Sequence, residues 1–383
     1  MNLRTPALGR LAVAASAALL ALAGATSARA AAGTWENVTQ PIPGYGSGPG
    51  AGHSGVLAFG PDSVVVVEAS YDGFCDAFPA CAFPLTMTYW NGSTWTQKPA
   101  PPPFKGSADA VTGTSPDDVW AVGLPTLGAA DAHHWDGQTW TERPFPSGFS
   151  YGGAVSVTAG EVLVAGSDWS QSPAQPAVPV VLRWDGSAWA RTALPQPAGR
   201  SVRLEKIRQA GPGDLWVTGT IESADRTTSE FYVARFNGTT WTRMAAPTLP
   251  GGLYATDGEI AGTSTDLWLG GRDTGAGCST AVHWNGSAFQ TSKICGTDKT
   301  TSPLINTYAK YGGEWLVGLH SPGAAQRYDA LRRWNGTSWV KTSPPLSATS
   351  IERLRTDPGG ATLWTTGYSG SGFVARLSGP LPQ

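Results

Sequence analysis

Short runs that are apolar at nearly every position recur along the chain, each preceded by a more polar segment. Asp117-Asp118-Val119-Trp120-Ala121-Val122-Gly123 is the clearest run, with relatives at 213–219, 265–271 and 362–367 and weaker copies at 62–67, 160–166 and 313–318. A run apolar on both alternating faces predicts a strand buried on both sides. Segments such as Ala110-Val111-Thr112-Gly113-Thr114-Ser115-Pro116 come just before the runs and end in a turn signal. Six of the seven runs are followed by an aromatic hairpin, as in Trp90-Asn91-Gly92-Ser93-Thr94-Trp95 and Trp135-Asp136-Gly137-Gln138-Thr139-Trp140. Further hairpins begin at Trp184, Phe236, Trp284 and Trp334, so successive copies start 45, 49, 52, 48 and 50 residues apart.

Each period therefore holds four strand-like pieces: an inner segment, a doubly buried run and the two arms of a hairpin. Four antiparallel strands repeated at this interval predict an all-β fold, a β-propeller with four-stranded blades. Seven buried runs predict seven blades. The segment Phe373-Val374-Ala375-Arg376-Leu377-Ser378-Gly379 matches a first hairpin arm without a second, and Thr34-Trp35-Glu36-Asn37-Val38 matches the missing arm. The last blade is thus expected to be closed by the N-terminal strand. Asn-Gly and Asp-Gly predict two-residue turns with positive φ at both central positions. The paired indoles are then core between blades rather than sugar platforms. Asn91, Asn237, Asn285 and Asn335 also spell glycosylation acceptors, but the turn accounts for the Asn-Gly pair.

The run Leu267-Trp268-Leu269-Gly270-Gly271 and the hairpin His134-Trp135-Asp136-Gly137-Gln138-Thr139-Trp140, followed by Pro144, resemble the kelch-type propeller of secreted actinobacterial proteins. The resemblance extends over residues 33–379. It departs from the family in that only the 270–271 copy keeps both glycines and in that the hairpins are shorter. It implies the fold but no activity.

Composition adds a compartment. Arg4 and Arg10, the apolar stretch 11–25 and Ala28-Arg29-Ala30 read as a secretory signal peptide over 1–30, leaving 31–383 as one propeller domain. Beyond it no segment is apolar enough to span a membrane. Removing 1–30 takes away three arginines and no acids, leaving 23 basic and 28 acidic residues, a net charge of −5. That balance argues against nucleic acid as a partner. The 49 glycines and 30 prolines suit many short strands joined by tight turns. Four cysteines allow three pairings. Cys75 with Cys81 and Cys278 with Cys295 are preferred, because the second pair flanks the Asn285-Gly286 hairpin. Neither metal nor cofactor is expected, and the protein is expected to be a secreted monomer.

In a propeller the loops that enter the inner strand and leave the buried run share one rim. Asp168, Trp169 and Arg272 fall on that rim, and His53, Arg203, Glu205, Glu259, Tyr308 and Arg353 fall near the mouth of the channel. The inner segments 203–208 and 352–355 mix charge with apolar residues, which alternation sorts into a channel face and a packing face. Arg203 and Arg353 are then candidate clamps for an acidic or hydroxyl-rich ligand. The rim loops 69–87, 166–180, 219–231 and 318–330 share no motif, which favours one asymmetric site over a repeated one. The expected function is ligand binding, with an extracellular carbohydrate as the ligand. A polysaccharide lyase using His53, Tyr308 and Arg353, a two-carboxylate glycoside hydrolase, and a protein-interaction scaffold are the alternatives.

Overall fold

Strand follows strand because β-branched and aromatic residues are broken every few positions by Gly, Pro and Asn turns. The computed structural model describes residues 33–39, 52–69, 85–100, 108–123, 131–158, 160–170, 175–223, 227–247, 259–272, 277–296, 303–320 and 330–382. After β1 (Trp35–Asn37) come β2 (Gly52–Gly60), β3 (Ser63–Ala69), β4 (Leu85–Trp90) and β5 (Trp95–Lys98). The next set is β6 (Ala108–Ser115), β7 (Asp118–Gly123), β8 (Asp131–Trp135) and β9 (Trp140–Pro144). Then follow β10 (Phe149–Thr158), β11 (Glu161–Asp168), β12 (Val178–Trp184) and β13 (Trp189–Ala193). The fourth set is β14 (Ser201–Gly211), β15 (Asp214–Glu222), β16 (Ser229–Phe236) and β17 (Trp241–Arg243). The fifth is β18 (Ala261–Thr263), β19 (Asp266–Arg272), β20 (Cys278–Trp284) and β21 (Phe289–Cys295). Last come β22 (Leu304–Tyr311), β23 (Glu314–His320), β24 (Leu331–Trp334), β25 (Trp339–Lys341), β26 (Ser350–Thr356), β27 (Thr362–Tyr368) and β28 (Gly372–Ser378).

The first five sets are separate four-stranded antiparallel sheets, the blades of an all-β propeller. The remaining strands form one eight-stranded sheet in the order β1-β28-β27-β26-β23-β24-β25, with β22 on β23. Within it, β23 meets β26 through the single pair His320↔Ser350. Trp35, Glu36 and Asn37 pair with Leu377, Arg376 and Ala375. The Trp95 indole also donates to the Val38 carbonyl at 2.7 Å.

The doubly buried runs are the second strands of the sets. Trp120, Trp216, Trp268 and Trp364 on β7, β15, β19 and β27 are almost fully buried. Each ring removes roughly 150–250 Å² from water, a gross gain of about 4–6 kcal/mol at 25 cal/mol per Å². The core lies between neighbouring sets. Trp120 and Val122 meet Val162, Val164 and Leu182, for example, while Val56, Val64 and Trp90 meet Trp364, Val374 and Val38.

The hairpin turn differs from the two-residue form its Asn-Gly pair predicts. Trp90 pairs with Trp95, so the loop has four residues, 91–94, and only Gly92 takes positive φ, at 96°. The reason is the Asn91 side chain: its Oδ1 accepts the N–H groups of Ser93 and Thr94 at 3.1 and 2.9 Å and the Ser93 hydroxyl at 3.0 Å. Asp185, Asn237, Asn285 and Asn335 repeat these contacts. The Ser or Thr two places on is therefore part of the turn. The paired indoles of Trp90 and Trp95 lie 5.4 Å apart, tilted by 51°, as expected of packing residues.

A glycine near the end of the doubly buried run lets the inner strand cross closely. A Cβ at Gly166, Gly219 or Gly367 would stand 2.2, 2.1 and 2.2 Å from the carbonyl oxygens of Ser150, Arg203 and Ser350. Immediately after this contact the inner strand bulges by one residue, between Tyr151 and Gly153, Leu204 and Lys206, or Ile351 and Arg353. The same shift occurs in β2, β6 and β22.

On the hairpin side, Trp120 and Trp268 are capped by His134 and His283, stacked at 4.3 and 4.4 Å. Each imidazole Nε2 hydrogen-bonds an aspartate, Asp118 at 2.7 Å or Asp266 at 2.8 Å. Burial pushes both carboxyls upward, but hydrogen bonds outweigh it and hold them below the ordinary 3.8. For Asp118 these come from His134, Thr114 and the Gly160 N–H. For Asp266 they come from Lys310, His283 and Trp315. Both aspartates thus tie neighbouring blades together.

Two expectations follow. Gly219→Ala should lower unfolding stability by about 2–3 kcal/mol through overpacking against the Arg203 carbonyl, measured by denaturant titration; a cost within 0.5 kcal/mol would contradict the close crossing. A carboxyl with a depressed folded pKa stabilises above its unfolded value and loses that contribution as pH falls through the folded one. The stability deficits of Asp118→Asn and Asp266→Asn should therefore be full at pH 7 and shrink below about pH 4. Thermal midpoints across that range check this, and a deficit independent of pH would refute it.

Candidate functional site

Because the inner strands bulge by one residue, the residues that follow turn inward around a common space. A cavity of about 840 Å³ is lined by residues of β2, β6, β10, β14, β18, β22 and β26. Its circumference has two characters. From β2, β6 and β10 come Gly55, Leu57, Ala110, Thr112, Gly153 and Val155; from β14 and β26 come Lys206, Arg208, Arg353 and Arg355. Glu259, just before β18, is the carboxylate among these four cations.

Glu259 is held firmly. Arg355 grips it with both terminal nitrogens, Nη2 to Oε1 at 2.7 Å and Nη1 to Oε2. Arg353 Nε lies 3.5 Å from Oε1, and the Thr307 hydroxyl donates to Oε2 at 3.2 Å. Burial acts strongly upward on this carboxyl, yet the charges of Arg355, Arg353 and Lys206 and the Arg355 hydrogen bonds bring it down to about 2. It stays ionised at any ordinary pH, so it is not a proton donor. Arg355 is in turn raised: burial pulls it down, and the Glu259 charge and hydrogen bond outweigh that.

Arg208 differs. It is exposed, but the water it meets is that of the cavity. Enclosure by the surrounding strands lowers its pKa, the Arg355 charge lowers it further, and Glu259 opposes both. Among the described residues no hydrogen bond or ion pair engages its guanidinium.

The residues marked in the sequence distribute unevenly over this geometry. Glu259 and Arg353 belong to the cavity cluster. Arg203 and Glu205 pair with each other at 3.5 Å, and Glu205 accepts the Thr220 hydroxyl at 3.1 Å. Neither lines the cavity, because Glu205 is the bulge residue and strand parity reverses after it. Asp168 is buried at the end of β11, where it accepts the Ser170 N–H at 2.6 Å and ion-pairs with Arg191. Trp169 is half-buried beside it, and its N–H donates to the Gly148 carbonyl at 2.8 Å. The Tyr308 hydroxyl is buried and donates to the Leu269 carbonyl at 3.3 Å. Burial raises its pKa far above the ordinary 10, which removes it as a base. His53 and Arg272 lie in β2 and β19, and their side chains fall outside the described residues.

Lys206, Arg208 and Arg355 were not among the sequence candidates. The signal that could have found them is the pair of buried residues spaced by three, Leu204 with Ile207 and Ile351 with Leu354. That spacing is incompatible with an uninterrupted strand and marks the bulge.

Cys278 and Cys295 pair across β20 and β21 as a disulfide, as expected. Cys75 and Cys81 lie outside the described residues. Among the described residues no group of three or more His, Cys, Asp or Glu side chains is arranged to hold a metal ion. No helix there is long and apolar enough to cross a membrane.

No protein-family model matches the chain, and no curated protein matches it. Solved structures do. The structure of YCF48 bound to D1 peptide is similar at 14% identity, over 90% of this chain and 96% of that one, with a TM-score of 0.55. The acylaminoacyl peptidase of Pyrococcus horikoshii is similar at 10% identity over 87% of this chain and 52% of that one, with a TM-score of 0.53. The β-propeller domain of the Trilobed protease from Pyrococcus furiosus, described as having an open velcro topology, is similar at 10% identity. It covers 87% of this chain and 95% of that domain, with a TM-score of 0.51. At such identities the likeness is one of fold, and the fold is a β-propeller.

Proposed function

We propose that the protein is a secreted ligand-binding propeller that takes an acidic carbohydrate in one asymmetric site within its central cavity. The observation that carries the reading is the cluster of Lys206, Arg208, Arg353 and Arg355 around a single carboxylate, on one part of the circumference only. Such a concentration of cations in an enclosed space attracts an anion strongly, since enclosure weakens screening by water. On the strands adjoining the cations, Leu57 of β2 and Val155 of β10 offer apolar surface for the C–H groups of a sugar ring. Binding is favoured over hydrolase or lyase chemistry because Glu259 is pinned as an anion and the Tyr308 hydroxyl is engaged in the core.

The ring around this site is read as seven blades of kelch-like type. The eight-stranded sheet is two blades touching through one residue pair, and the β1 pairing with β28 supplies the outer strand of the last. Core clusters joining each blade to the next support the same count, including the one that joins the first blade to the last. The leader-like residues 1–30 and the Cys278–Cys295 disulfide support export.

Calorimetric titration of the protein lacking residues 1–30 tests the reading, using acidic and neutral oligosaccharides of matched length. Acidic ligands should bind, and Arg208→Ala should weaken them at least ten-fold, about 1.4 kcal/mol. Arg183→Ala, on an exposed hairpin pair with Glu161, should change affinity less than two-fold. Equal binding of neutral oligosaccharides, unaffected by Arg208→Ala, would refute the proposal.

A further inference from the structure

Of the four cations in the cavity, three have their donors engaged by the protein itself. Arg355 spends both terminal nitrogens on Glu259. Arg353 sets Nε 3.5 Å from the same carboxylate and donates Nη1 to the Glu352 carbonyl at 2.9 Å. Lys206 is engaged as well, and its charge adds to the hold on Glu259. Arg208 is the cation whose guanidinium no described residue meets. The cavity therefore offers an incoming anion one fork of donors.

Register with the doubly buried strands shows what surrounds that fork. Arg208 pairs with Trp216, while Val155 and Ala261 pair with the corresponding Leu163 and Trp268. The inner strands β10 and β18 pack on either side of β14. At its own height Arg208 is thus flanked by an isopropyl group and a methyl group, neither of which can donate a hydrogen bond. The same level continues with Ala309 and Arg355 beyond β18, and with Thr112 and Leu57 beyond β10. Glu259 stands two residues before Ala261, near enough for its charge to act on Arg208.

We infer that the group this site takes is a carboxylate, held by the Arg208 guanidinium alone, so that the acidic carbohydrate proposed above is a uronic acid. The inference rests on the ligand-binding reading of the cavity. A carboxylate has two coplanar oxygens, and one edge of a guanidinium meets both in parallel hydrogen bonds. A sulfate or phosphate ester carries a third terminal oxygen. Val155 and Ala261 offer that oxygen no donor, and an enclosed polar atom left without a partner costs about 1–3 kcal/mol. A phosphate ester also brings more charge, about 1.5 to 2 negative units at pH 7. The surplus would face the ionised Glu259, whose own cations are taken. The C–H groups of the sugar ring then lie against Val155 and Ala261.

Probes of one ring type separate the possibilities. Calorimetry with glucuronate, glucuronamide, glucose 6-sulfate, glucose 6-phosphate and acetate should give tightest binding for glucuronate, about ten-fold over either ester. Glucuronamide keeps the shape and loses the charge, and should also bind about ten-fold more weakly. Either ester binding as tightly as glucuronate would overturn the carboxylate assignment while leaving the acidic-carbohydrate reading intact. Glucuronamide matching glucuronate, or no binding by any of the sugars, would remove both. Acetate as tight as glucuronate would refute the uronic acid and its carbohydrate context. Arg208→Lys keeps the charge and loses the fork. It should erase the preference for glucuronate over glucose 6-sulfate, with the thermal midpoint retained because Arg208 gives up no partner. Ala261→Ser places a donor beside Arg208 and should raise glucose 6-sulfate affinity relative to glucuronate. An unchanged preference in either variant would sink the single-fork clamp.

Discussion

A one-residue bulge in the inner strands sets the geometry of the rest. At Gly166, Gly219 and Gly367 the inner strand passes so close that a side chain would collide with a backbone carbonyl, while β2 and β22 bulge opposite Glu68 and Leu319. The inner strand then carries one extra residue, and the alternation of faces restarts. Residues before the bulge pack between blades by one parity, those after it by the other. Leu204 and Ile207 are both buried as a result, and Lys206 and Arg208 reach the cavity. A feature of the scaffold thus decides which side chains can be functional.

The cation cluster is poorly explained as a contribution to stability. Desolvating an ion pair costs about as much as the pair returns, and an apolar substitute of similar volume is often as good or better. The cavity demonstrates that substitute on the adjoining strands β2 and β10, where Leu57 and Val155 line it without charge. Arg355 and Glu259 at least satisfy each other. Arg208 gains nothing comparable, and the Arg355 charge acts against it. A charge retained under such conditions points to an interaction completed by something that enters the cavity.

The local parts of the architecture were legible because the sequence writes them locally. The hairpins, the runs containing Trp120, Trp216, Trp268 and Trp364 and the near-fifty-residue period all depend on neighbours in the chain. The turn at Asn91 was less so: its Gly92 announces positive φ, but the loop length is set by the side-chain oxygen that binds Ser93 and Thr94. Of the site, Glu259 and Arg353 were visible as charges on inner segments. Lys206 and Arg208 were hidden by parity, since the bulge after Leu204 reverses what alternation assigns from Arg203, whereas Arg355 shares the parity of Arg353. Asp168 and Tyr308 stood out by residue type and position, but burial and partners such as Arg191 and the Leu269 carbonyl come only from the folded chain.

Repetition itself separates scaffold from site. On the hairpin side an aspartate, a buried tryptophan and a covering cation or imidazole recur: Asp118 with Trp120 and His134, Asp266 with Trp268 and His283, Asp214 with Trp216 and Arg235. A device repeated in three blades answers a need those blades share, which is to cover a buried indole. The inward level that holds Arg208 and Arg355 obeys the same register from blade to blade, yet carries Leu57, Thr112, Val155, Ala261 and Ala309 elsewhere. The backbone there imposes no residue type, so the two arginines answer to something outside the packing of the blades.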